Sequence, residues 1–330
     1  MKKSVLAACL SAAVLCLAWA GPGWSDETPT VKLGISSWIG YGSIFIAEEK
    51  GFFEQEGVDV VLRRIEKVAD RRSALAAGQI DGFPTTPDTH ITTVAAGVPV
   101  IQVVALDDSY GGDGLVAKKD IKSIEDLKGR SVGLETGGGA SFFWALYLLN
   151  QHDMTLDDLD VKDLGAGEAG SAFAAGRLDA AFTWEPWLTT ARESASGHVV
   201  ISSDETPGVI GDTLGMRQDF VEAHPETVQA IVNAIMEAMD FIETNQDEAY
   251  DIIAKAMGQT REDFDEAVKG VRFYDLDRNI EYFGTEDDPG ALYELCEMAS
   301  ELFYDAGVID NKPDVAKTID PQFVQAAQER

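Results

Sequence analysis

The chain has 330 residues, 45% of them apolar and 25% charged, which excludes a disordered polypeptide and exceeds what one hydrophobic core ordinarily serves. Acidic residues outnumber basic ones 57 to 26, and the net charge of -31 makes a surface that repels nucleic acid and anionic membrane.

The chain opens with MKKSVLAACLSAAVLCLAWA, in which Lys2 and Lys3 precede about fifteen apolar residues and Ala18-Trp19-Ala20 supplies a small-x-small cleavage site. Residues 1–20 therefore read as a secretory signal, too short in its apolar run to span a bilayer. Leu6-Ala7-Ala8-Cys9 has the outline of a lipoprotein box, but almost no apolar segment precedes it, so lipidation of Cys9 is the minor alternative. Cleavage removes Cys9 and Cys16 and leaves Cys296 without a disulfide partner, as a structural thiol in a helix. The mature protein is expected to be periplasmic, soluble and monomeric.

From Thr30, TVKLGISSWIGYGSIFIAEEKGFF reads as strand, glycine-bearing loop and helix, followed by a second strand in VDVVLRR at 58–64. SALAAGQIDGF at 73–83 then reads as a helix stopped by Gly78 and a strand entered through Asp81. The same order recurs from Arg130: RSVGLETGGGASFFWALYLL, then LDVKDLG at 159–165, then SAFAAGRLDAAF at 171–182 with Gly176 and Asp179. Strands alternating with helices at this spacing predict an α/β protein of two similar lobes with parallel sheets. Beyond Pro207-Gly208 the pattern turns helical, with Pro225 at a first helical position and a stripe of Val228, Ile231, Val232, Ile235, Met236 and Met239. This extension is expected to pack on lobe 1, giving residues 30–112 and 210–330 to lobe 1 and 113–209 to lobe 2.

Open α/β sheets bind ligands beyond the carboxyl ends of their strands. Aligning the two copies sets Pro84-Thr85-Thr86-Pro87-Asp88 against Thr183-Trp184-Glu185-Pro186-Trp187, and the loop 36–41 against 135–141. Four loops, two from each lobe, are thus expected to face one cleft.

The segments GYGSIFIAEEKGFFEQEGVDV, AGQIDGF, SIEDLKGRSVGLETGGGASFF and AGRLDAAFTWEPWL together resemble the nitrate/sulfonate/taurine class of periplasmic substrate-binding proteins of ABC transporters. The resemblance covers roughly residues 30–325; its parts are modest alone and specific in this order. It implies a two-lobed Venus-flytrap fold with two crossovers, near 112–114 and 206–212, a solute between the lobes, and delivery to a transmembrane permease. The pairing of DDSYGGDG with TWEPW further resembles a branch linked to guanidine- and urea-related metabolism.

The chemistry of the loops admits two ligand signs. Ser36, Ser37, Thr136, Gly137, Gly138, Gly139 and Ser141 lie where helix N-termini hold oxyanions, although the glycines equally serve tight turns. Asp88, Asp107, Asp108, Asp113, Glu135 and Glu185, interleaved with Trp38, Tyr41, Tyr110, Trp184 and Trp187, point to a cation, and these loop segments hold no Lys or Arg. A carboxylate beside indoles is costly unless paired, and a planar guanidinium both pairs with it and stacks on the rings. The expected ligand is therefore a small nitrogenous cation, guanidinium first, held by Glu185, Trp184, Trp187, Asp88, Asp108, Asp107, Trp38, Tyr41, Thr86, Ser37, Thr136 and Ser141. An oxyanion such as nitrate or taurine, or a neutral solute such as urea, is the alternative.

No HExxH, GxSxG, P-loop or CxxC motif occurs, so no enzyme is indicated. GAGEAG at 165–170 matches a dinucleotide fingerprint only by letters, because a helix stop and a strand interrupt the stretch that follows it. His90, His152, His198 and His224 form no ligand pair, and neither metal nor cofactor is expected.

Overall fold

The computed structural model describes residues 30–285 and 287–328, so the expectations placed on residues 1–20 lie outside the described residues. Among the described residues there are eleven strands: β1 (Thr30–Ile35), β2 (Asp59–Arg64), β3 (Gly82–Thr85), β4 (Val100–Ser109), β5 (Asp113–Lys118), β6 (Ser131–Leu134), β7 (Asp160–Asp163), β8 (Ala180–Trp184), β9 (Gly197–Ser202), β10 (Gly211–Arg217) and β11 (Val271–Phe273). They form two sheets, one ordered β11-β4-β10-β3-β1-β2 and the other β7-β6-β8-β5-β9. The chain leaves the first sheet after Ser109, enters the second at Asp113, and returns between Ser202 and Gly211. This is the two-lobed, twice-crossed α/β architecture of the periplasmic binding proteins.

The internal repeat is visible as wiring. In each lobe three strands run parallel, β2-β1-β3 and β7-β6-β8. The sheets are not parallel throughout, as the alternating pattern predicted, because the crossover strands β4, β5 and β10 enter antiparallel to their neighbours. The repeated glycine and aspartate have the same task in both copies. Gly78 and Gly176 take φ of 64° and 73° and close the helices Val68–Ala76 and Ala166–Ala174 in a conformation that side chains resist. Asp81 then accepts a hydrogen bond from the Lys32 amide in β1 at 2.9 Å, and Asp179 accepts one from the Ser131 amide in β6 at 3.0 Å. Each aspartate thus ties the start of one strand to its parallel neighbour.

The stripe on helix Pro225–Thr244 is buried in the lobe 1 core together with Ile44, Val103 and Leu106. A later helix, Ala291–Asp305, also touches the second lobe: its Phe303 lies in a core with Phe142 and Phe143, at ring-centroid distances of 5.9 Å from each. Cys296 on that helix is fully buried, and burial pushes its thiol up to about 12, which keeps it inert at neutral pH. No helix among the described residues is long and apolar enough to cross a membrane.

Phe303 therefore joins the C-terminal extension to lobe 2, and truncating it leaves a cavity that a packed core closes poorly. Phe303→Ala is expected to cost about 3–5 kcal/mol of stability, read from the midpoint of urea unfolding.

Candidate functional site

A cavity lies between the two sheets where the crossing strands meet the carboxyl ends of β1, β3 and β8. Its wall takes Ser36, Trp38 and Tyr41 from the loop after β1, Val68 and Arg71 from the helix before β3, and Thr85 and Thr86 from the end of β3. The opposing wall takes Asp113 from the start of β5, Gly139 and Ala140 from the start of helix Ala140–Gln151, and Trp184 from the end of β8. Ile210 and Asp212 close it where the chain returns. The enclosed space is small, about 30 Å³ for the centre of a water-sized sphere.

Its electrostatics are dominated by three buried aspartates. In the antiparallel pair of β4 and β10, Asp107 stands directly opposite Asp212, and like charges so placed repel. Asp107 accepts a hydrogen bond from Trp38 Nε1 at 2.9 Å, and Asp212 accepts one from the Tyr41 hydroxyl at 3.2 Å. The other Asp107 oxygen, Oδ2, and Oδ1 of Asp113 are buried without a hydrogen-bond partner. Burial, then repulsion from Asp212, holds the Asp107 carboxyl well above the usual carboxylate range. Burial, then repulsion from Asp113, raises Asp212 likewise. Burial pushes Asp113 up to about 7 despite a hydrogen bond from Ser109, and repulsion from Glu185 adds to the rise. Gly40 is required by this packing, since a Cβ there would sit 2.1 Å from the Asp107 carboxylate.

One base, Arg71, shares the wall. Its Nη1 donates to the carbonyls of Ile65 and Glu66, both at 2.8 Å, while its buried Nε has no partner.

The expected site residues separate into groups. Trp38, Tyr41, Thr86 and Trp184 line the cavity, and Asp107 backs it through Trp38. Ser37 and Trp187 line a larger adjoining chamber, in which Ser37 is held by Glu66. The remaining five stay off the cavity wall, each with a physical reason. The Glu185 carboxylate is occupied by the Thr189 amide at 3.1 Å and hydroxyl at 2.8 Å, at the start of helix Trp187–Arg192. Asp108 faces the other side of β4, in a two-pronged ion pair with Arg272 of β11. Asp88 is buried, accepts from the Thr89 hydroxyl at 3.3 Å, and is pushed up to about 6 by burial. The Thr136 amide donates to Asp163, and Ser141 is buried with its hydroxyl unpartnered. Asp212 and Arg71 were not foreseen. A G-D-T triplet at the return crossing was the available signal for Asp212, and the KVADRRSALAAG helix start was the signal for Arg71. Among the described residues no cluster suited to a metal ion occurs.

A two-lobed α/β clamp with a polar cavity between its lobes is the architecture of solute-binding proteins. Residues 25–258 match the model of the NMT1-like family, and the chain belongs to that family. A protein of Brucella abortus named only as a binding protein is 31% identical over 235 residues, covering 70% of this chain and 72% of its own. Among solved structures, the alkanesulfonate-binding protein SsuA of Xanthomonas axonopodis pv. citri, bound to MOPS, superimposes with a TM-score of 0.74 at 16% identity. It covers 89% of this chain and 99% of its own. The periplasmic nitrate-binding protein NrtA of Synechocystis PCC 6803 gives 0.73 at 19%, covering 92% and 89%. All three of these relatives are named as binding proteins.

The raised Asp113 carboxyl has a consequence for the ligand-free protein. Its folded value lies above its unfolded one, so its contribution to stability is complete below about pH 4 and is lost as pH climbs through about 7. The melting temperature of the ligand-free chain is expected to fall from about pH 5 to pH 8, and Asp113→Asn to flatten that fall, by calorimetry.

Proposed function

We propose that this chain is the periplasmic solute-binding component of an ABC importer, exported by a cleaved signal at residues 1–20. It captures a small nitrogenous cation, guanidinium first, and delivers it to a transmembrane permease. The two clamp halves are residues 30–112 with 210–330, and residues 113–209. The observation that carries the ligand reading is the group Asp107, Asp113 and Asp212, buried together with two carboxylate oxygens unpartnered. Buried like charges of this kind are relieved by protons or by a cation. A guanidinium answers both the charge and the unfilled acceptors, since it offers five or six N–H donors in a plane and stacks against Trp38 or Trp184. The small cavity volume suits a ligand of a few heavy atoms. Asp113 belongs to the second sheet and Asp212 to the first, so one cation between them draws the lobes together.

A second reading has its own observation. Arg71 on the wall, with an unpartnered Nε, and the sulfonate and nitrate ligands named for the structural neighbours favour an oxyanion.

Calorimetric titration with guanidinium chloride, urea, sodium nitrate and taurine decides between them. Guanidinium is expected to bind one to one, releasing protons, with affinity rising between about pH 6 and pH 8 as the aspartates ionise. Asp113→Asn and Asp212→Asn are each expected to weaken it about tenfold or more, the worth of one charged hydrogen bond. Nitrate or taurine binding more tightly, with affinity falling as pH rises and lost in Arg71→Gln, would overturn the cation.

A further inference from the structure

We infer that Trp184 is the partition that restricts the ligand to a bare head group, and that the chamber beyond it would accept an aliphatic substituent ending in an ammonium only once that indole is removed. This inference rests on the cation reading and names the substrate class that the same site admits or rejects. The juxtaposition is direct. Trp184 closes β8, and the antiparallel register with β5 sets it opposite Asp113, so the indole stands beside that buried carboxylate. It lines both the small cavity and a second chamber of about 580 Å³. One side chain therefore separates a space for a few atoms from a space for many.

The outer chamber has the chemistry of a cation site. Glu66, Glu135 and Glu168 face it with a single base, Lys67, which already leans on Glu168 at 3.5 Å. Glu135 is pushed above its usual range by burial, against the pull of Arg71. The ring of Trp187 meets that of Trp184 edge to face, at 6.1 Å and 66°. Two indoles bordered by carboxylates attract an alkylammonium through the rings' electron-rich faces and through charge.

The two indoles are not held alike. Trp187 is wedged on helix Ala166–Ala174, where a Cβ on Gly167 or Gly170 would come within 2.8 Å or 3.0 Å of it. Trp184, equally half-buried, packs instead against the core of the first lobe, and its Nε1 makes no hydrogen bond. Removing the Trp184 ring joins the two spaces while Trp187 and the carboxylates keep their places. A guanidine nitrogen carrying a short chain then leaves its head at Asp113 and lays its chain toward Trp187.

The test compares guanidine, N-propylguanidine and 3-aminopropylguanidine by calorimetry on the full-length protein, Trp184→Phe and Trp184→Ala. The unaltered protein is expected to prefer guanidine over either substituted compound by about tenfold or more, since a clash with a rigid wall excludes added methylenes. Trp184→Ala is expected to erase or invert that preference, with Trp184→Phe between the two. Adding Glu168→Gln to the alanine variant is expected to remove the advantage of the aminopropyl over the propyl compound. Trp184→Leu takes the place of the alanine variant if the latter does not melt cooperatively. Guanidine binding by all the proteins with an unchanged preference overturns the partition and leaves the cation reading standing. Unaltered protein that takes 3-aminopropylguanidine as tightly as guanidine does the same. Absence of guanidine binding overturns the cation reading, and this one with it.

Discussion

The pairing of Asp107 with Asp212 across β4 and β10 is the constraint on which the rest turns. Two carboxylates directly opposite on neighbouring strands oppose the fold that brings them together, and Asp113 at the head of β5 adds a third. A protein retains such an arrangement only where the surrounding structure over-determines it, and here it does. β4 is the strand that leaves the first lobe and β10 the strand that re-enters it, so their adjacency is a property of the clamp itself. The hydrogen bonds from Trp38 and Tyr41 satisfy one oxygen of each and leave the group short of donors. In the ligand-free protein protons fill that shortage. On the cation reading proposed above, a ligand with positive charge and N–H groups would displace them, which would make binding, proton release and lobe closure parts of one equilibrium.

Closure without ligand has little else to hold it. The Gly139 amide donates to the Thr89 hydroxyl at 2.9 Å, Arg72 reaches the Gly137 carbonyl at 3.4 Å, and Lys67 meets Glu168 with both side chains more than half exposed. An exposed ion pair such as Lys67–Glu168 contributes at most about 1 kcal/mol, and a hydrogen bond such as the buried one from Gly139 to Thr89 about 1 kcal/mol. A solute touching Asp113 on one side and Asp212 on the other has more leverage, because its contacts exist only when the halves meet. The helix Ala291–Asp305 packs on the first lobe through Leu292 and Cys296 and on the second through Phe303, so it touches both halves.

Much of this was legible in the sequence because it was local. The repeated strand, helix and glycine stop identify themselves within a window, and the paired Asp81 and Asp179 mark the same joint twice. The residues of the TWEPW stretch, expected together at the cleft, divide between two surroundings. Trp184 ends a strand and faces the cavity, whereas Glu185 one residue later turns its carboxylate to the helix that follows. Asp107 and Asp108 repeat the lesson: successive strand residues point to opposite faces, so one approaches the cleft and the other meets Arg272. Asp212 and Arg71 stayed hidden for another reason. Their place depends on which distant strand pairs with β4 and on how a helix is rotated over the sheet, which the G-D-T triplet and the KVADRRSALAAG helix start hint at but do not determine.

The sign of the guest is then a matter of side chains rather than of fold. The clamp shared with nitrate- and alkanesulfonate-binding proteins supplies a cleft and helix starts, here the amides about Gly139, that tolerate an anion. Against that background the cavity sets Arg71, whose Nη1 is already engaged by two carbonyls, against aspartates on both sides of the crossing. Where the three carboxyls ionise, a single partly engaged guanidinium does not neutralise them in a low-dielectric space, and an added anion would then deepen the imbalance. An added cation reduces it. On the cation reading, Arg71 would be an internal counter-charge that keeps the empty site from carrying its full repulsion and leaves the last share of positive charge to the ligand.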